Sequence, residues 1–210
     1  MFTSIYPGAR TSPLTILCVG DSTVSGNTQP QYAWPLQLQN LPGFANVNVV
    51  NIGVNGSVTN DIKDSYNLIY RPYSPAFTGR AAILLWMSGA NDFSTNGTAA
   101  NALTNVQTLG AAALADRFLV GTGIQWDPVE GALTAPQVAQ WNLFQGYQAA
   151  LSGSYVTSGL ILDTRPYFPD DTGQSPYALT VGDYHRDQAG QALIAGGIAA
   201  MIQTTNFLSL

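Results

Sequence analysis

Four short stretches of the chain carry groups that could perform acyl transfer. Ser22 follows one apolar run, Gly56 ends a glycine-rich stretch, Asn91 follows another apolar run, and His185 is the only histidine. Acyl transfer requires a hydroxyl that attacks a carbonyl carbon, an imidazole that takes the hydroxyl proton, and donors that meet the resulting oxyanion. These four residues are therefore a candidate catalytic set.

Each of the four also has an ordinary structural explanation. Serine is favoured at helix N-caps, glycine at turns that need a positive φ, and asparagine at turns that its own side chain closes. A single histidine in a chain is often structural. The joint occurrence of all four, each next to a predicted strand or helix end, favours the catalytic explanation.

The elements that must position these residues follow from the apolar pattern. Four apolar, β-branched runs predict buried parallel strands at residues 13–20, 45–53, 81–89 and 159–164. Helices are predicted at residues 32–41, 57–70, 98–119, 135–151 and 187–203, with Asp187 as the N-cap of the last. Residues 120–134 have no clear period and predict a loop. This alternation predicts one α/β domain over residues 1–210, with a parallel sheet of about five strands and helices on both faces.

The predicted fold gathers the candidate residues at one edge of the sheet. Ligands of open parallel sheets bind beyond the carboxyl ends of the strands. Ser22, Gly56 and Asn91 follow the first, second and third predicted strands, and His185 lies just before the last helix. We therefore expect a hydroxyl, glycine amides, a carboxamide and an imidazole to lie together.

The motifs around these residues resemble those of the SGNH hydrolases, also called GDSL-type esterases and lipases. The family's G-D-S, N-x-G-x-x-G and G-x-N-D blocks are matched by Gly20, Asp21 and Ser22, by Asn51, Gly53 and Gly56, and by Gly89, Asn91 and Asp92. His185 matches the histidine of the last block, D-x-x-H. The blocks span most of the chain, and the first three together are specific.

The resemblance implies a flavodoxin-like three-layer fold and the hydrolysis of esters without a metal or other cofactor. Ser22 would be the nucleophile and His185 the base. The oxyanion donors would be the backbone N–H groups of Ser22 and Gly56 and the side chain of Asn91.

The last block departs from the family pattern. An acid stands two residues before His185, at Asp183, rather than three, and Arg186 replaces the usual proline. We take Asp183 as the acid of the triad, because a partner must hold the second ring nitrogen of the histidine. Two alternatives stay open: an acid from the preceding loop, Asp170 or Asp171, or a Ser–His dyad whose ring is held by a backbone carbonyl.

Two other acids are interpreted as structural. Asp21 is expected to shape the turn beside Ser22 by local hydrogen bonds. Asp92 is expected to brace the loop that aims Asn91. Neither has histidine or cysteine neighbours that would make a metal site.

Aromatic residues in the predicted loops could contact the substrate. Trp126, Phe93 and Tyr184 are predicted to line the site, with Tyr73 nearby, by stacking on sugars or enclosing an acyl group. The alternative is that such rings pack beneath long loops. The other three tryptophans, at positions 34, 86 and 141, fall in predicted strands or helices and are expected in the core.

The amino-acid composition limits which binding partners and locations are compatible with this chain. A net charge of −5 with only seven cations excludes a nucleic-acid surface. The single cysteine, Cys18, excludes an internal disulfide and is expected to be buried. No run reaches the roughly 18 apolar residues of a membrane span. The first residues lack the charged and apolar regions of a secretory signal. A charged content of only 9 % nevertheless suits an extracellular or virion-associated protein.

The predicted function is a serine ester hydrolase that acts on a small ester or an acylated carbohydrate, with acetyl as the favoured acyl group. A short-chain lipase or thioesterase is the nearest alternative. A non-catalytic carbohydrate-binding module on the same fold is a second. A nucleotide-binding protein is disfavoured, because neither G-x-G-x-x-G nor G-K-[ST] is present. No oligomeric state is predicted.

Overall fold

The computed structural model describes residues 14–71, 81–124, 133–168 and 185–205. Within these ranges five strands form one sheet in the order β2-β1-β3-β4-β5, with every neighbouring pair parallel. The strands are β1 (Leu14–Gly20), β2 (Asn48–Asn51), β3 (Ala81–Met87), β4 (Leu119–Ile124) and β5 (Ile161–Asp163). The predicted sheet of about five parallel strands is confirmed.

Seven α-helices accompany the sheet in the described ranges. They are α1 (Ser22–Ser25), α2 (Trp34–Gln39), α3 (Thr59–Ser65), α4 (Ala90–Ser94), α5 (Ala99–Ala115), α6 (Ala135–Ala149) and α7 (Gln188–Thr204). Helix α2 packs against α7, whereas α3 and α6 both pack against α5. Right-handed crossovers place these two groups on opposite faces of the sheet. The predicted three-layer α/β architecture is therefore confirmed.

The central strands are buried on both faces, as an all-parallel sheet requires. Every residue of β1 is buried, and the pairing of β1 with β3 runs from Leu14 opposite Ala81 to Gly20 opposite Met87. The thiol of Cys18 lies in this core, where burial raises its pKa. Trp34, Trp86 and Trp141 are also fully buried, as predicted.

The predicted loop over residues 120–134 is wrong at its start, because Leu119–Ile124 form strand β4. Two glycines in the segment LVGTGI obscure the strand pattern. A Cβ at Gly121 would meet the side chain of Leu85, and one at Gly123 would meet that of Met87. The glycines thus make room for large β3 side chains, and they do not mark a turn. The preceding helix, predicted to reach residue 119, accordingly ends at Ala115.

The predicted cap Asp187 is confirmed, and one predicted helix changes type along its length. Asp187 caps α7 through a 2.8 Å hydrogen bond from the Gly190 N–H, and Thr98 caps α5. The helix predicted over residues 57–70 is α-helical only over Thr59–Ser65. It continues as a π-helical turn, Tyr66–Tyr70. The Tyr66 hydroxyl donates to Asp116 at 2.8 Å, and its burial beside that carboxylate raises the pKa of the phenol.

Candidate active site

Ser22 is placed by the turn that joins β1 to α1. Gly20 ends the strand at φ +157°, and a Cβ there would overlap the Met87 carbonyl and the Val24 side chain. Asp21 is the N-cap of α1, and its Oδ1 accepts a 2.9 Å hydrogen bond from the Thr23 N–H. The local role predicted for Asp21 is confirmed. Because Asp21 caps the helix, the hydroxyl of Ser22 is left for another partner.

That partner is the only histidine of the chain. His185 Nε2 lies 2.9 Å from Ser22 Oγ, although 163 residues separate the two in sequence. The Ser22 side chain is 4 % exposed, so the contact is shielded from bulk water. His185 precedes the Asp187 cap of α7 by two residues, so the start of that helix fixes its position. The predicted pairing of hydroxyl and imidazole is present in the structure.

Two backbone N–H groups, those of Ser22 and Gly56, are candidates to bind an oxyanion. Among the described residues, no acceptor receives the N–H of Ser22 or that of Gly56. Gly56 is exposed and adopts φ +76°, with no atom within 4 Å of the position a Cβ would take. Buried amides are nearly always paired in folded proteins, so the free N–H of the buried Ser22 is notable, whereas the N–H of the exposed Gly56 is open to solvent.

The side chain of Asn91 is oriented by the loop that carries Gly56. Asn91 Nδ2 donates to the Ser57 carbonyl at 3.0 Å. A primary amide has two N–H bonds, so one hydrogen remains after this contact is made. Asn91 is the second residue of α4. Gly89 directly precedes this helix and adopts φ +132°. A Cβ at Gly89 would overlap the Phe144 ring, so this glycine lets α4 approach α6.

The other two residues of the second motif, Asn51 and Gly53, hold that loop against α1. Asn51 Nδ2 donates to the Val24 carbonyl at 2.9 Å, and its Oδ1 accepts from the Gly53 N–H at 3.0 Å. A Cβ on Gly53 would lie 2.5 Å from the Ser25 backbone nitrogen. Asn51 and Gly53 therefore position the loop, and their contacts with the described residues give neither a chemical role.

A buried network connects this loop with the helix that carries Asn91. Asp92 Oδ2 accepts from the Thr59 N–H at 2.9 Å, and Asp92 Oδ1 accepts from Thr59 Oγ1 at 2.6 Å. Asn105 Nδ2 of α5 donates to the same hydroxyl at 3.0 Å. Burial raises the pKa of Asp92, and the Thr59 hydrogen bonds oppose that rise. The bracing role predicted for Asp92 is present as a link between α3, α4 and α5.

Thr59 and Asn105 were not predicted from the sequence. Thr59 lies only three residues after Gly56, which is the one signal that could have identified it. Asn105 lies inside a long helix, and no local pattern distinguishes it from the other asparagines there.

The segment of His185 is anchored to the end of the sheet by its neighbour. The Arg186 guanidinium lies 4.3 Å from the centroid of the Phe168 ring, and Arg186 is only 5 % exposed. Phe168 directly follows the 3₁₀ turn Arg165–Tyr167 after β5. The arginine that replaces the family's proline thus supplies a buried cation–π contact.

One predicted substrate contact is wrong. Phe93 is fully buried, with ring centroids 5.6 Å from Trp141 and 5.7 Å from Phe144. Because this aromatic cluster fills the space between α4 and α6, Phe93 faces the core and not a substrate. The alternative interpretation, a ring that packs beneath the loops, applies to it.

Several predicted residues lie outside the described residues. They are the favoured acid Asp183, its alternatives Asp170 and Asp171, and the aromatic residues Tyr73, Trp126 and Tyr184. Their roles stay predictions.

The described ranges contain neither a metal-binding cluster nor a membrane-spanning helix. No group of three or more histidine, cysteine, aspartate or glutamate side chains in these ranges could hold a metal ion. None of the helices there combines the length and apolar character that a membrane span requires.

Comparison with known proteins finds similarity in three-dimensional structure only. Neither protein-family models nor curated proteins match the chain. It superposes on a member of the lipolytic G-D-S-L family from Veillonella parvula with a TM-score of 0.67 at 17 % identity, over 91 % of this chain and 97 % of that one.

Two further solved structures are similar. The psychrotrophic esterase EstA from Pseudoalteromonas gives a TM-score of 0.68 at 16 % identity, over 91 % of this chain and 98 % of that one. A mutant of an acetyl-xylooligosaccharide esterase from Geobacillus gives 0.68 at 17 % identity, over 90 % and 93 %. The resemblance drawn from the motifs is thus confirmed at the level of architecture, and the chain has the fold of the G-D-S-L lipolytic proteins and esterases.

Proposed function

We propose that this protein is a serine ester hydrolase that acts through an acyl-enzyme on Ser22. The observation that carries the proposal is the 2.9 Å contact between Ser22 Oγ and His185 Nε2. A structural serine in this position would serve as the helix cap, but Asp21 performs that role. The fold shared with G-D-S-L esterases supports the same conclusion.

The proposed reaction has two halves, acylation of Ser22 and hydrolysis of the acyl-enzyme, and the same groups act in both. His185 Nε2 takes the proton of Ser22 Oγ as this oxygen attacks the acyl carbon. The carbonyl oxygen becomes an oxyanion that accepts from the N–H groups of Ser22 and Gly56 and from Asn91 Nδ2. Collapse of the tetrahedral intermediate breaks the bond to the alcohol, which leaves with the proton from His185. Water then repeats the sequence and releases the acid.

We further propose that the acyl group is small, with acetyl on a carbohydrate as the favoured substrate. The polar but weakly charged composition suits a neutral sugar substrate. One structural neighbour is an acetyl-xylooligosaccharide esterase, which supports this substrate class by analogy of fold. The same composition supports an extracellular or virion-associated location.

Hydrolysis of p-nitrophenyl acetate tests the reaction. We expect Ser22→Ala to lower kcat by about 10⁶, the loss that follows removal of a nucleophilic serine in another hydrolase. A serine-directed phosphonate should label the wild-type protein and the control Ser154→Ala, whose serine is exposed, but not Ser22→Ala. If Ser22→Ala keeps activity within a factor of about ten, which is 1.4 kcal/mol of barrier, the nucleophile is misassigned.

A substrate panel then tests the acyl class. Rates with p-nitrophenyl esters of increasing chain length, compared with release of acetate from acetylated xylan and pectin, separate a deacetylase from a lipase or thioesterase. Preference for longer acyl chains would contradict the acetyl proposal and leave the Ser22 mechanism intact.

A further inference from the structure

Two asparagines in this chain are followed directly by glycine: Asn55–Gly56 and Asn96–Gly97. Asparagine is a thermolabile residue, because the backbone nitrogen of the next residue can attack its side-chain amide. A following glycine presents no Cβ to hinder that attack. The structure treats the two pairs differently, and one of them contains a proposed oxyanion donor.

The backbone nitrogen of Gly97 takes part in a hydrogen bond. Its N–H donates to the Asp92 carbonyl at 2.7 Å, and a Cβ on Gly97 would lie 2.5 Å from that same oxygen. The nitrogen of Gly97 cannot attack Asn96 until this hydrogen bond opens. The need to open one ordinary hydrogen bond slows the reaction by up to about tenfold.

The Gly56 nitrogen is available. Among the described residues its N–H has no acceptor, and none of them except the two chain neighbours of Gly56 has an atom within 4 Å of where a Cβ would be. Asn55 and Gly56 are both exposed. The feature that would let Gly56 serve an oxyanion, an N–H without an acceptor, also leaves its nitrogen accessible to the neighbouring side chain.

Two hydrogen bonds hold the side chain of Asn55, and one of them places a donor at its amide oxygen, as Gln137 Nε2 does at Asn96 Oδ1 at 3.4 Å. Ser25 Oγ donates to Asn55 Oδ1, and Asn55 Nδ2 donates to the Asn27 carbonyl at 3.3 Å. As the Gly56 nitrogen adds to Cγ, negative charge develops on Oδ1. A donor already placed at that oxygen stabilises the charge.

We propose that Asn55–Gly56 is a site of spontaneous deamidation, and that the reaction switches off the active site by consuming the N–H of Gly56. The bond from the Gly56 nitrogen to Asn55 Cγ forms, and the bond from Cγ to Nδ2 breaks. The proton of the Gly56 N–H leaves with Nδ2 as ammonia. The product is a succinimide whose nitrogen carries no hydrogen. Water opens the ring at either carbonyl and leaves aspartate or isoaspartate at position 55.

Each product weakens the proposed oxyanion hole; this consequence rests on the proposed function. The succinimide lacks one donor, and loss of one oxyanion donor lowers kcat by about 10²–10³. Isoaspartate lengthens the backbone before Gly56 and displaces its N–H. Aspartate restores the donor but places a negative charge one residue away from it. Activity should therefore decline with the modified fraction.

The test compares the two sites within one molecule. The protein is made in the bacterial cytoplasm, because both pairs lie in Asn-Gly-Ser or Asn-Gly-Thr sequences that a eukaryotic secretory pathway could glycosylate. During incubation at mildly alkaline pH, peptide mass spectrometry measures modification at both positions, and p-nitrophenyl acetate measures activity. We expect Asn55 to be modified about tenfold faster than Asn96, with activity falling at the Asn55 rate.

Matched variants assign the loss to one site. Asn55→Gln should hold its own starting activity through the incubation, because the longer side chain cyclises far more slowly, whereas Asn96→Gln should decline like the wild type. Equal rates at the two sites, or modification of Asn55 without loss of activity, would overturn the proposal. Fresh wild-type protein with no esterase activity would refute the proposed function instead. The two site-specific rates would then still decide whether Asn55 is the deamidation site.

Discussion

At the scale of single residues, two adjacent side chains divide helix capping from the proposed catalysis. Asp21 caps α1, and Ser22 contacts His185. Aspartate and serine are both favoured at helix N-caps, and here the aspartate holds that position. The Asp-Ser order therefore leaves the hydroxyl free for chemistry at the end of a buried strand.

The oxyanion role proposed for Asn91 leads to the first prediction. Asn91→Ala should lower kcat by about 10²–10³ with little change in KM, because the donor acts on charge that exists only in the transition state. Steady-state kinetics with p-nitrophenyl acetate measure both constants. The control is Asn101→Ala, which truncates an exposed asparagine of α5. A change in KM alone would mean that Asn91 binds the ground state.

The acid of the triad gives a second prediction. Asp183→Asn should keep the fold and lower kcat by up to about 10⁴, the scale found elsewhere when the histidine tautomer is wrong. Asp170→Asn and Asp171→Asn are the matched comparisons and should be nearly silent. A large loss in one of these would move the assignment to that residue. Silence in all three would indicate a dyad held by a backbone carbonyl.

At the scale of elements, the relative position of the two loops depends on hydrogen bonds between helices. Asn91 and Asp92, adjacent on α4, contact Ser57 and Thr59 respectively. These contacts fix α4 to the start of α3, just after Gly56. These contacts therefore fix the position of the Asn91 side chain relative to the Gly56 N–H, the proposed donor of the other loop.

The Thr59 hydroxyl gives a prediction with a pH dependence. Thr59→Val should lower the free energy of unfolding by about 1–3 kcal/mol at neutral pH, because buried partners on Asp92 and Asn105 lose their hydrogen bonds. Urea denaturation measures this loss. Thr104→Val, which removes an exposed hydroxyl from α5, should have little effect.

The sign of that pH dependence follows from Asp92. Its pKa is raised in the folded state by burial, so the stability it contributes falls as the pH rises from about 4 through the folded pKa. The Thr59 hydrogen bond opposes this rise, so Thr59→Val should raise the pKa further. The difference between wild type and variant should be smallest at acid pH and widen as Asp92 ionises. A difference that does not change with pH would contradict the coupling.

At the scale of the whole molecule, some helices pack so closely against neighbouring segments that only glycine fits at the contact. Gly110 and Gly146 both lie inside helices, yet their surroundings differ. A Cβ at Gly110 would lie 2.5 Å from the Tyr155 carbonyl oxygen, whereas one at Gly146 would have no atom within 4 Å. Gly110 therefore permits a backbone contact between α5 and the chain leading to β5.

These two glycines give a paired prediction. Gly146→Ala should stabilise the protein by up to about 1 kcal/mol, because alanine is the better helix former. Gly110→Ala has the same gain in helix propensity. It should nevertheless lower the free energy of unfolding by about 1–3 kcal/mol overall, because the added methyl group must displace the backbone at Tyr155. Thermal or urea unfolding of both variants measures the difference. Equal effects of the same sign would mean that the chain around Tyr155 yields easily.

Much of this architecture could be predicted from local sequence. The strands β1 and β3 are continuous apolar runs, and the helix at residues 98–115 begins at a threonine cap, so nearby residues alone encode them. The turn Gly20–Asp21–Ser22 was also predictable, because its glycine and its cap act within a few residues. Placement of Ser22 and His185 at the same edge followed from strand order, which local pattern and handedness rules together constrain.

Other features were decided only by tertiary packing. Strand β4 contains two glycines that make room for the large side chains of Leu85 and Met87 on β3, and only the packed structure reveals this role. Phe93 lies in the core because Trp141 and Phe144, about fifty residues further along the chain, provide its surroundings. Whether a glycine makes room or makes a turn, and whether a ring faces core or substrate, depends on partners distant in sequence. Sequence by itself therefore determined the chemical groups and their order along the chain, whereas the fold decided which of them meet.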